Sequence, residues 1–164
     1  MNAIVAVDKK WGIGRNNDLL FSIPEDMKFF RTTTSKKVVV MGANTLRSFP
    51  GGNPLKNRTN IVLSTTLKRD DCIVVDSLEK LIEEIKKYAK DEVYLIGGAK
   101  LYKTLLPYCE KVFVTKVDAD GDAQVFFENL DELSNFKCVE ESEEMVSNGY
   151  KFRFTIYQNL SVKK

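Results

Sequence analysis

The stretch Val93-Tyr94-Leu95-Ile96-Gly97-Gly98-Ala99-Lys100 decides the fold. Its apolar run is typical of a strand buried on both faces, and the two glycines lead straight into a helical pattern. Glycines at such a junction let the backbone approach a phosphate, while a helix N-terminus adds amide donors and positive potential. A tight strand-to-helix turn without a ligand explains the same residues, and the stretch is neither a Walker A nor a GxGxxG motif. Both interpretations stay open at this point.

Similar apolar runs recur along the chain and predict further buried strands. They occupy residues 3–7, 38–41, 61–63 and Ile73–Val75. Two later segments, Lys111–Val117 and residues 151–157, alternate in polarity and predict strands that include an antiparallel edge pair.

Helical patterns separate these strands. Apolar residues at three- and four-residue spacing predict a helix over residues 77–89, with Asp76 or Ser77 as its N-cap. Another helix is predicted to begin near Pro24, where Ser22 to Glu25 resembles a capping box, and two more are expected after Gly42 and after Gly98. The order predicts a single α/β domain over residues 1–164. We expect a central, mostly parallel eight-stranded sheet with one antiparallel edge strand, flanked by about four helices.

Composition narrows the chemistry. The 164 residues carry 25 basic and 23 acidic side chains and no histidine. A net charge of +2 gives no reason to expect nucleic acid or an anionic membrane as a partner. The missing imidazole excludes Ser-His-Asp and Cys-His nucleophiles and zinc sites that need histidine, and we expect no metal. Proton transfer near neutral pH therefore falls to a carboxylate, lysine, tyrosine, cysteine or water.

The cysteines and the N-terminus bear on location. Cys72, Cys109 and Cys138 are scattered and odd in number, which is typical of reduced thiols. The N-terminal apolar run is shorter than a signal-peptide core, and no later segment approaches the length of a membrane span. We expect a cytoplasmic protein.

Three other features are candidates for a site. Val40-Met41-Gly42-Ala43-Asn44-Thr45 is a second strand-to-helix junction, and open α/β sheets bind ligands at the carboxyl ends of their strands. Ser64-Thr65-Thr66 ends a strand in hydroxyls that either bind phosphate or, more commonly, cap a turn. Asp26 shares a helix face with Phe29 and Phe30, where a carboxylate is costly unless it is paired or used. A first-turn aspartate favoured by the helix dipole is the commoner explanation.

Taken together, these segments resemble the dihydrofolate reductase family over about residues 4–157. The motifs that carry the resemblance follow in family order: Ala6-Val7-Asp8 with Gly12-Ile13-Gly14, Pro24-Glu25-Asp26-Met27 with Phe29-Phe30-Arg31, Val39-Val40-Met41-Gly42 to Thr45 with Ser48-Phe49, Pro54-Leu55 to Arg58, Asn60-Ile61-Val62-Leu63-Ser64, Ile96-Gly97-Gly98 to Tyr102, Thr115, and Gly121-Asp122.

The resemblance implies hydride transfer from NADPH to C6 of dihydrofolate, with protonation at N5. Asp26 would be the ionisable group that contacts the pterin, Thr115 would support it, and Arg58 would bind the glutamate α-carboxylate. The expected substrate contacts are Val5, Ala6, Asp26, Met27, Phe30, Ser48, Phe49, Leu55, Arg58, Ile96 and Thr115.

The resemblance also implies an NADPH site. The expected cofactor contacts are Ala6, Ile13, Asn17, Leu19, Gly42, Ala43, Asn44, Thr45, Leu63, Ser64, Thr65, Ile96, Gly97, Gly98, Ala99, Lys100, Leu101 and Tyr102. Ile13, Asn17 and Leu19 would close over the nicotinamide, and Asp122 would hold that loop by accepting backbone hydrogen bonds. A monomer is expected.

The chain departs from the family pattern in places. Leu20-Phe21 stands where many members have proline and tryptophan, which removes an indole donor for an ordered water. Ala43 replaces a common basic residue and Lys100 a common arginine, so the clamp on the 2′-phosphate would rest on Lys100, Ser64, Thr65 and Lys68. We therefore expect a weaker preference for NADPH over NADH.

Two other functions fit parts of the pattern. One is a related reductase that acts on another pterin or on a riboflavin precursor, and the other is a nucleotide-binding module without catalysis. Asp26, Phe30 and Arg58 together favour a folate, and retention of Asp26 and Thr115 favours catalysis.

Overall fold

The computed structural model describes residues 1–16 and 18–164; Asn17, a predicted cofactor contact, lies outside the described residues. The elements in chain order are β1 (Asn2–Val7), β2 (Gly12–Gly14), α1 (Pro24–Thr34), β3 (Val38–Gly42), α2 (Ala43–Ser48), β4 (Thr59–Leu63), β5 (Ile73–Val75), α3 (Leu78–Ile85), β6 (Val93–Gly97), α4 (Ala99–Leu105), β7 (Lys111–Val117), β8 (Val125–Phe126), β9 (Phe136–Glu141), β10 (Met145–Ser147) and β11 (Tyr150–Asn159).

Six parallel strands form the centre of the sheet in the order β5-β4-β3-β6-β1-β7. β11 adds antiparallel to β7, and the other side of β11 is shared by β10 and β9, which pair with successive parts of it. The predicted α/β fold, with eight strand positions, a mostly parallel sheet, an antiparallel edge and four helices, is confirmed.

Helices cover both faces of this sheet. On one face, Leu81 of α3 and Leu105 of α4 pack in a core with Val5 and Val114. On the other, Leu46 of α2 packs against the strand residues Val39, Met41 and Val62. The ring of Phe29 in α1 packs on Phe113 and Phe154 of the same face, with centroid distances of 6.3 and 4.7 Å. The strands are buried on both sides, which explains their continuous apolar sequences.

The strand register aligns the predicted site residues at one edge of the sheet. Gly42 pairs with Leu63, Met41 with Gly97, and Ala6 with Thr115. Because these strands are parallel, their carboxyl ends lie side by side along a single edge. This is the edge at which open α/β sheets bind ligands.

Two local predictions need correction, and one small sheet was not predicted. The helix expected over residues 77–89 ends at Ile85, although Ser77 caps it as predicted by accepting from the Lys80 N–H. The capping box at Ser22 is wrong: Ile23 is the N-cap, and no side chain of the described residues caps α1, where Pro24 already removes one donor. The small β2–β8 sheet is also new, since strands of three and two residues carry too little periodicity to predict.

Among the described ranges 1–16 and 18–164, no helix has the length and apolar character needed to cross a membrane.

Candidate active site

One half-buried carboxylate dominates the carboxyl edge of the sheet. Asp26 lies in the first turn of α1, and its Oδ1 accepts a hydrogen bond of 2.6 Å from the hydroxyl of Thr115. Thr115 is only 3% exposed and stands next to Ala6 across the β1–β7 ladder. Of the described residues, Thr115 alone hydrogen-bonds to the Asp26 carboxylate, so Oδ2 keeps its acceptor capacity. The predicted pair Asp26 and Thr115 is therefore brought together.

Burial raises the pKa of Asp26 above its ordinary value, and the hydrogen bond from Thr115 opposes that rise. Burial disfavours the charged form because the carboxylate loses water, whereas a donor to the charged oxygen stabilises it. One hydroxyl offsets the loss only in part. Asp26 is thus an acceptor that a ligand with N–H donors can satisfy.

The apolar residues predicted around the substrate divide into two groups. Phe49, Leu55 and Ile96 pack together on the α2 face of the sheet. Met27, 48% exposed, follows Asp26 on α1, which also carries the half-buried Phe30.

Val5 is placed differently from the prediction. Ala6 pairs with Thr115 and so shares the Asp26 face, and successive side chains of a strand point to opposite faces. Val5 accordingly packs in the core beneath α3 and α4. Its side chain is not a wall of the Asp26 site, and only its backbone borders that site. The predicted polar contact Ser48 is exposed, with its hydroxyl donating to the Thr45 carbonyl.

Arg58 lies in a loop that is held by Asn60, a residue to which the sequence assigned no role. Asn60, buried at the start of β4, accepts from the Leu55 N–H and donates to the carbonyls of Leu55 and Arg58. The Arg58 guanidinium donates to the Thr34 hydroxyl at 3.1 Å. Its pKa is lowered, first by burial and then by the neighbouring positive charge of Arg31. Two nearby guanidinium groups form a positive patch that suits an anionic group.

The two strand-to-helix junctions contact each other. Gly42 and Gly98 are the N-caps of α2 and α4, and no side chain of the described residues caps either helix, so their first amides face outward. A Cβ on Gly97 would lie 2.9 Å from the Thr45 hydroxyl, and Gly97 has a φ of 140°, which favours glycine. The Gly97–Gly98 peptide is cis. Together the junctions form a donor-rich cradle of the kind that binds phosphate.

The remaining predicted cofactor residues are spread around this cradle. Ala43 and Asn44 open α2, and the Ser64 hydroxyl accepts from the amides of Thr66 and Leu67, so it caps a turn. Ala99, Lys100 and Tyr102 line a cavity of about 400 Å³ that Phe126 and Asn129 close from the other side. Thr65 and Lys100 face solvent. Leu63 and Leu101 pack against the core beneath α3 and α4.

The predicted closing loop is held mainly by residues that sequence reasoning missed. Leu19 is 67% exposed, while Ile13 packs from β2 against the core. Asp122 faces the Arg15 guanidinium at 3.6 Å, and the Asn16 N–H is bound by the Gln124 side chain at 2.9 Å. The sequence signal for such residues is weak, because a surface glutamine is common in any loop.

Comparison with known proteins agrees with this geometry. The sequence model of the family described as dihydrofolate reductase matches residues 1–159. The chain belongs to the dihydrofolate reductase family. The dihydrofolate reductases of Bacillus subtilis (strain 168) and Schistosoma mansoni are 33% and 35% identical to it, over 98% and 96% of this chain and 95% of each relative.

A solved structure, dihydrofolate reductase from Enterococcus faecalis complexed with NADP(H) and RAB-propyl, has a TM-score of 0.85 and 29% identity to the chain. The match covers 96% of this chain and 95% of that one. The family resemblance read from the motifs is therefore confirmed, as is the dihydrofolate reductase fold.

The raised pKa of Asp26 gives a test by stability. A carboxyl whose folded pKa lies above its unfolded value contributes stability at low pH, and that contribution is lost as the pH rises through the folded pKa. Asp26→Asn keeps an oxygen for Thr115 and removes the charge. We expect a higher Tm than the parent at about pH 7 and a difference that shrinks toward about pH 4, where an unfolded aspartate is itself half protonated.

The control variant, Asp71→Asn, is expected to change Tm in the opposite direction. The pKa of the exposed Asp71 is lowered, mainly by hydrogen bonding from Arg69, so Asp71→Asn should lower Tm slightly at neutral pH. Thermal melts of the three proteins across this pH range check both signs. A Tm for Asp26→Asn below that of the parent at pH 7 contradicts the burial penalty.

Proposed function

We propose that the chain reduces 7,8-dihydrofolate to 5,6,7,8-tetrahydrofolate with NADPH and so supplies one-carbon metabolism. The observation that carries the proposal is the Asp26 carboxylate, which is half-buried at the carboxyl edge of the sheet with Thr115 as its one described partner. Membership of the family and the relatives' names support the reaction, and the Enterococcus faecalis neighbour complexed with NADP(H) supports the cofactor.

Asp26 orients the pterin in this proposal. The N3 and 2-amino groups of a pterin form an edge of two parallel donors, which matches the two oxygens of a carboxylate. Oδ1 stays with Thr115 and accepts a second donor, while Oδ2 accepts the other. The negative charge so held favours a proton on the ring, which is what reduction at the C6–N5 bond needs. Asp26 and Thr115 are the proposed catalytic residues.

The benzoyl-glutamate tail lies toward Arg58. Phe49, Leu55 and Ile96 share one apolar cluster that suits an aromatic ring, and Phe30 and Met27 extend it from α1. Asn60 holds the Leu55–Arg58 loop through both ends, so the guanidinium is presented from a fixed backbone. The lowered pKa of Arg58 reflects burial beside Arg31, and an incoming carboxylate would relieve both effects.

The residues at the two junctions fit a dinucleotide. Uncapped amides at the starts of α2 and α4, the Thr45 hydroxyl and the close approach at Gly97 form a cradle that a larger residue at position 97 would fill. When bound, NADPH supplies the hydride that the reduction needs. The chain's own residues bind the phosphates, exclude water near Ala6 and Ile96, and leave Asp26 on the pterin side.

We further propose that the protein acts as a monomer in the cytoplasm and has no nucleic-acid or membrane partner. A net charge of +2 gives no reason to expect a nucleic-acid or anionic membrane partner, and three free, scattered cysteines are typical of a reducing compartment.

Asp26→Asn tests the catalytic role. We expect turnover of dihydrofolate to fall by about 10²–10⁴-fold at about pH 7, because positioned acid–base groups contribute that much. The loss should diminish at acid pH, where solvent protonates the substrate without help. The measurement is the loss of NADPH absorbance with dihydrofolate across pH, together with NADPH binding, which should stay close to that of the parent.

Glu25→Gln is the matched control. Glu25 precedes Asp26 on the same helix and is exposed. Its substitution therefore removes the same negative charge without changing the site. Its pH profile should follow the parent's. If Asp26→Asn turned over dihydrofolate at the parental rate, the role given to Asp26 would be wrong.

Arg58→Ala tests the substrate's tail. A charged hydrogen bond is worth about 1.5–3 kcal/mol, so we expect the KM for dihydrofolate to rise by about 10–100-fold. Turnover of a tail-less dihydropterin should be unaffected. Lys56→Ala removes a nearby exposed cation and is the control. It should change neither the KM for dihydrofolate nor the turnover of the tail-less dihydropterin. Equal effects of Arg58→Ala on both substrates would favour a reductase of another pterin.

Cofactor preference is tested at position 43. Ala43 begins α2 without a cation, and the exposed Lys100 is the basic residue at the start of α4. We expect Ala43→Arg to raise the ratio of kcat/KM for NADPH over NADH by about tenfold, since it adds a charged donor for the 2′-phosphate. Ala43→Gln, of similar length and uncharged, is the control. The expected weakening is wrong if the parent's ratio of kcat/KM for NADPH over NADH equals that of relatives with a basic residue at the position of Ala43.

A further inference from the structure

A carboxylate more deeply buried than that of Asp26 lies directly after β1. Asp8 is 2% exposed, and its side chain accepts three backbone hydrogen bonds. Oδ1 accepts from the amides of Lys10 and Gly12 at 2.8 and 2.7 Å, and Oδ2 accepts from the amide of Gly121 at 3.0 Å. Within the described residues it forms no ion pair, so backbone amides alone compensate its burial. Such charge-assisted bonds are among the strong ones in proteins.

These bonds join two segments distant in sequence. Lys10 belongs to the loop that leads from β1 into β2, Gly12 is the first residue of β2, and Gly121 belongs to the loop between β7 and β8. The segments also touch directly, because a Cβ on Gly12 would lie 2.4 Å from the Cβ of Ala123. The Gln124 N–H donates to the Gly14 carbonyl at 2.8 Å. The two loops therefore form one unit with Asp8 at its base.

Gly121 connects this unit to the substrate side. A Cβ on Gly121 would lie 2.8 Å from Cδ1 of Leu20 and 3.1 Å from Cζ of Phe21, so these side chains rest against its backbone. Phe21 packs in turn on Tyr150, with ring centroids 4.8 Å apart. The Leu20–Phe21 segment leads into α1 and so to Asp26. Where Gly121 lies thus sets where this segment lies.

We propose that Asp8 is a positioning residue for hydride transfer. It holds Gly12 and Gly121 together and so keeps Ile13 packed against the core and Leu20–Phe21 seated before α1. This inference rests on the proposed function. Asp8 touches neither substrate nor cofactor, and it acts through the backbone that it binds.

The same loop contains the chain's single tryptophan, which provides a readout independent of activity. Trp11 is 7% exposed, and its backbone N–H donates to the Asp8 carbonyl at 3.0 Å. Its ring lies 5.9 Å from that of Tyr157 and 5.1 Å from the ammonium of Lys116. Loosening of the loop base moves this ring from its packed environment toward water, which shifts its emission to longer wavelengths.

Asp8→Asn breaks the link selectively. An asparagine side chain has one oxygen, which stays with the two donors Lys10 and Gly12, while its NH₂ group then faces the Gly121 N–H, donor against donor. Asp118→Asn is the control, since Asp118 is an exposed acid at the start of the same β7–β8 loop. Both variants remove one negative charge.

Single-turnover hydride transfer, the KM values and the Trp11 emission spectrum are measured for both variants. We expect Asp8→Asn to slow transfer by about tenfold or more, because misplacement of a closing loop costs rate more than affinity. The KM for dihydrofolate should change by less than about threefold, since the Arg58 contacts are intact. Its Trp11 emission should move to longer wavelengths, and Asp118→Asn should match the parent in every readout.

Gly121→Ala tests the same link at Gly121, where the Asp8 carboxylate is connected to Leu20 and Phe21. This variant also keeps the proposal testable if Asp8→Asn does not fold. Its methyl group displaces Leu20 and Phe21 while the Asp8 bond can persist, so transfer should slow as in Asp8→Asn. Parental transfer rates in the folded variants, with only a lower Tm, overturn the proposal. If the parent itself fails to oxidise NADPH with dihydrofolate, the proposed function fails, whereas the Trp11 emission still tells whether Asp8 holds the loop.

Discussion

The hydrogen bond between Thr115 and Asp26 joins the helix α1 to the centre of the sheet. It exists because two independent constraints meet. The parallel register of β1 and β7 brings Thr115 beside Ala6 at the carboxyl edge, and the stacking of Phe29 on Phe113 and Phe154 fixes the rotation of α1 above it. A carboxylate enters an apolar layer at low cost only where the fold supplies a hydrogen-bond partner, here the Thr115 hydroxyl.

The buried Asp8 and the half-buried Asp26 differ in the number of hydrogen-bond donors that their carboxylates receive from the described residues, and this difference separates their roles. Asp8 is surrounded by three backbone amides, so its oxygens are largely satisfied before any ligand arrives. Asp26 has one hydroxyl, and its pKa is raised because that single bond does not offset burial. A satisfied carboxylate stabilises structure, whereas an under-satisfied one binds what is missing. Asp26 is thus free to bind a ligand, whereas Asp8 stabilises the loops whose amides it binds.

Much of this architecture could be predicted from the sequence, for a physical reason. Strands such as Val93–Gly97 are buried on both faces, so their apolar runs are continuous and easy to recognise, and the glycines after them mark the junctions. What could not be predicted depends on pairing between distant segments. The β2–β8 sheet is too short for periodicity, and the role of Asp8 depends on the amide of Gly121, 113 residues away. The placement of Val5 on the far face required the register, because a strand buried on both sides shows no alternation.

The absence of histidine sharpens the interpretation of any pH dependence. No side chain of this chain has an ordinary pKa between those of the carboxylates and the thiols, so a group that titrates near neutral pH must be a shifted one. Burial raises the pKa of Cys109 to about 12, away from neutrality, and also raises those of Cys72 and Cys138. Of the carboxyl groups in the described structure whose pKa is shifted, Asp26 alone moves upward. Burial also lowers the pKa of the Met1 amine, but this amine lies beside Cys109 and Glu110 at the amino end of β1, away from the site. A break in the rate profile between the ordinary carboxyl range and neutrality therefore reports either Asp26 or the bound substrate, and Asp26→Asn separates these two by removing only the first.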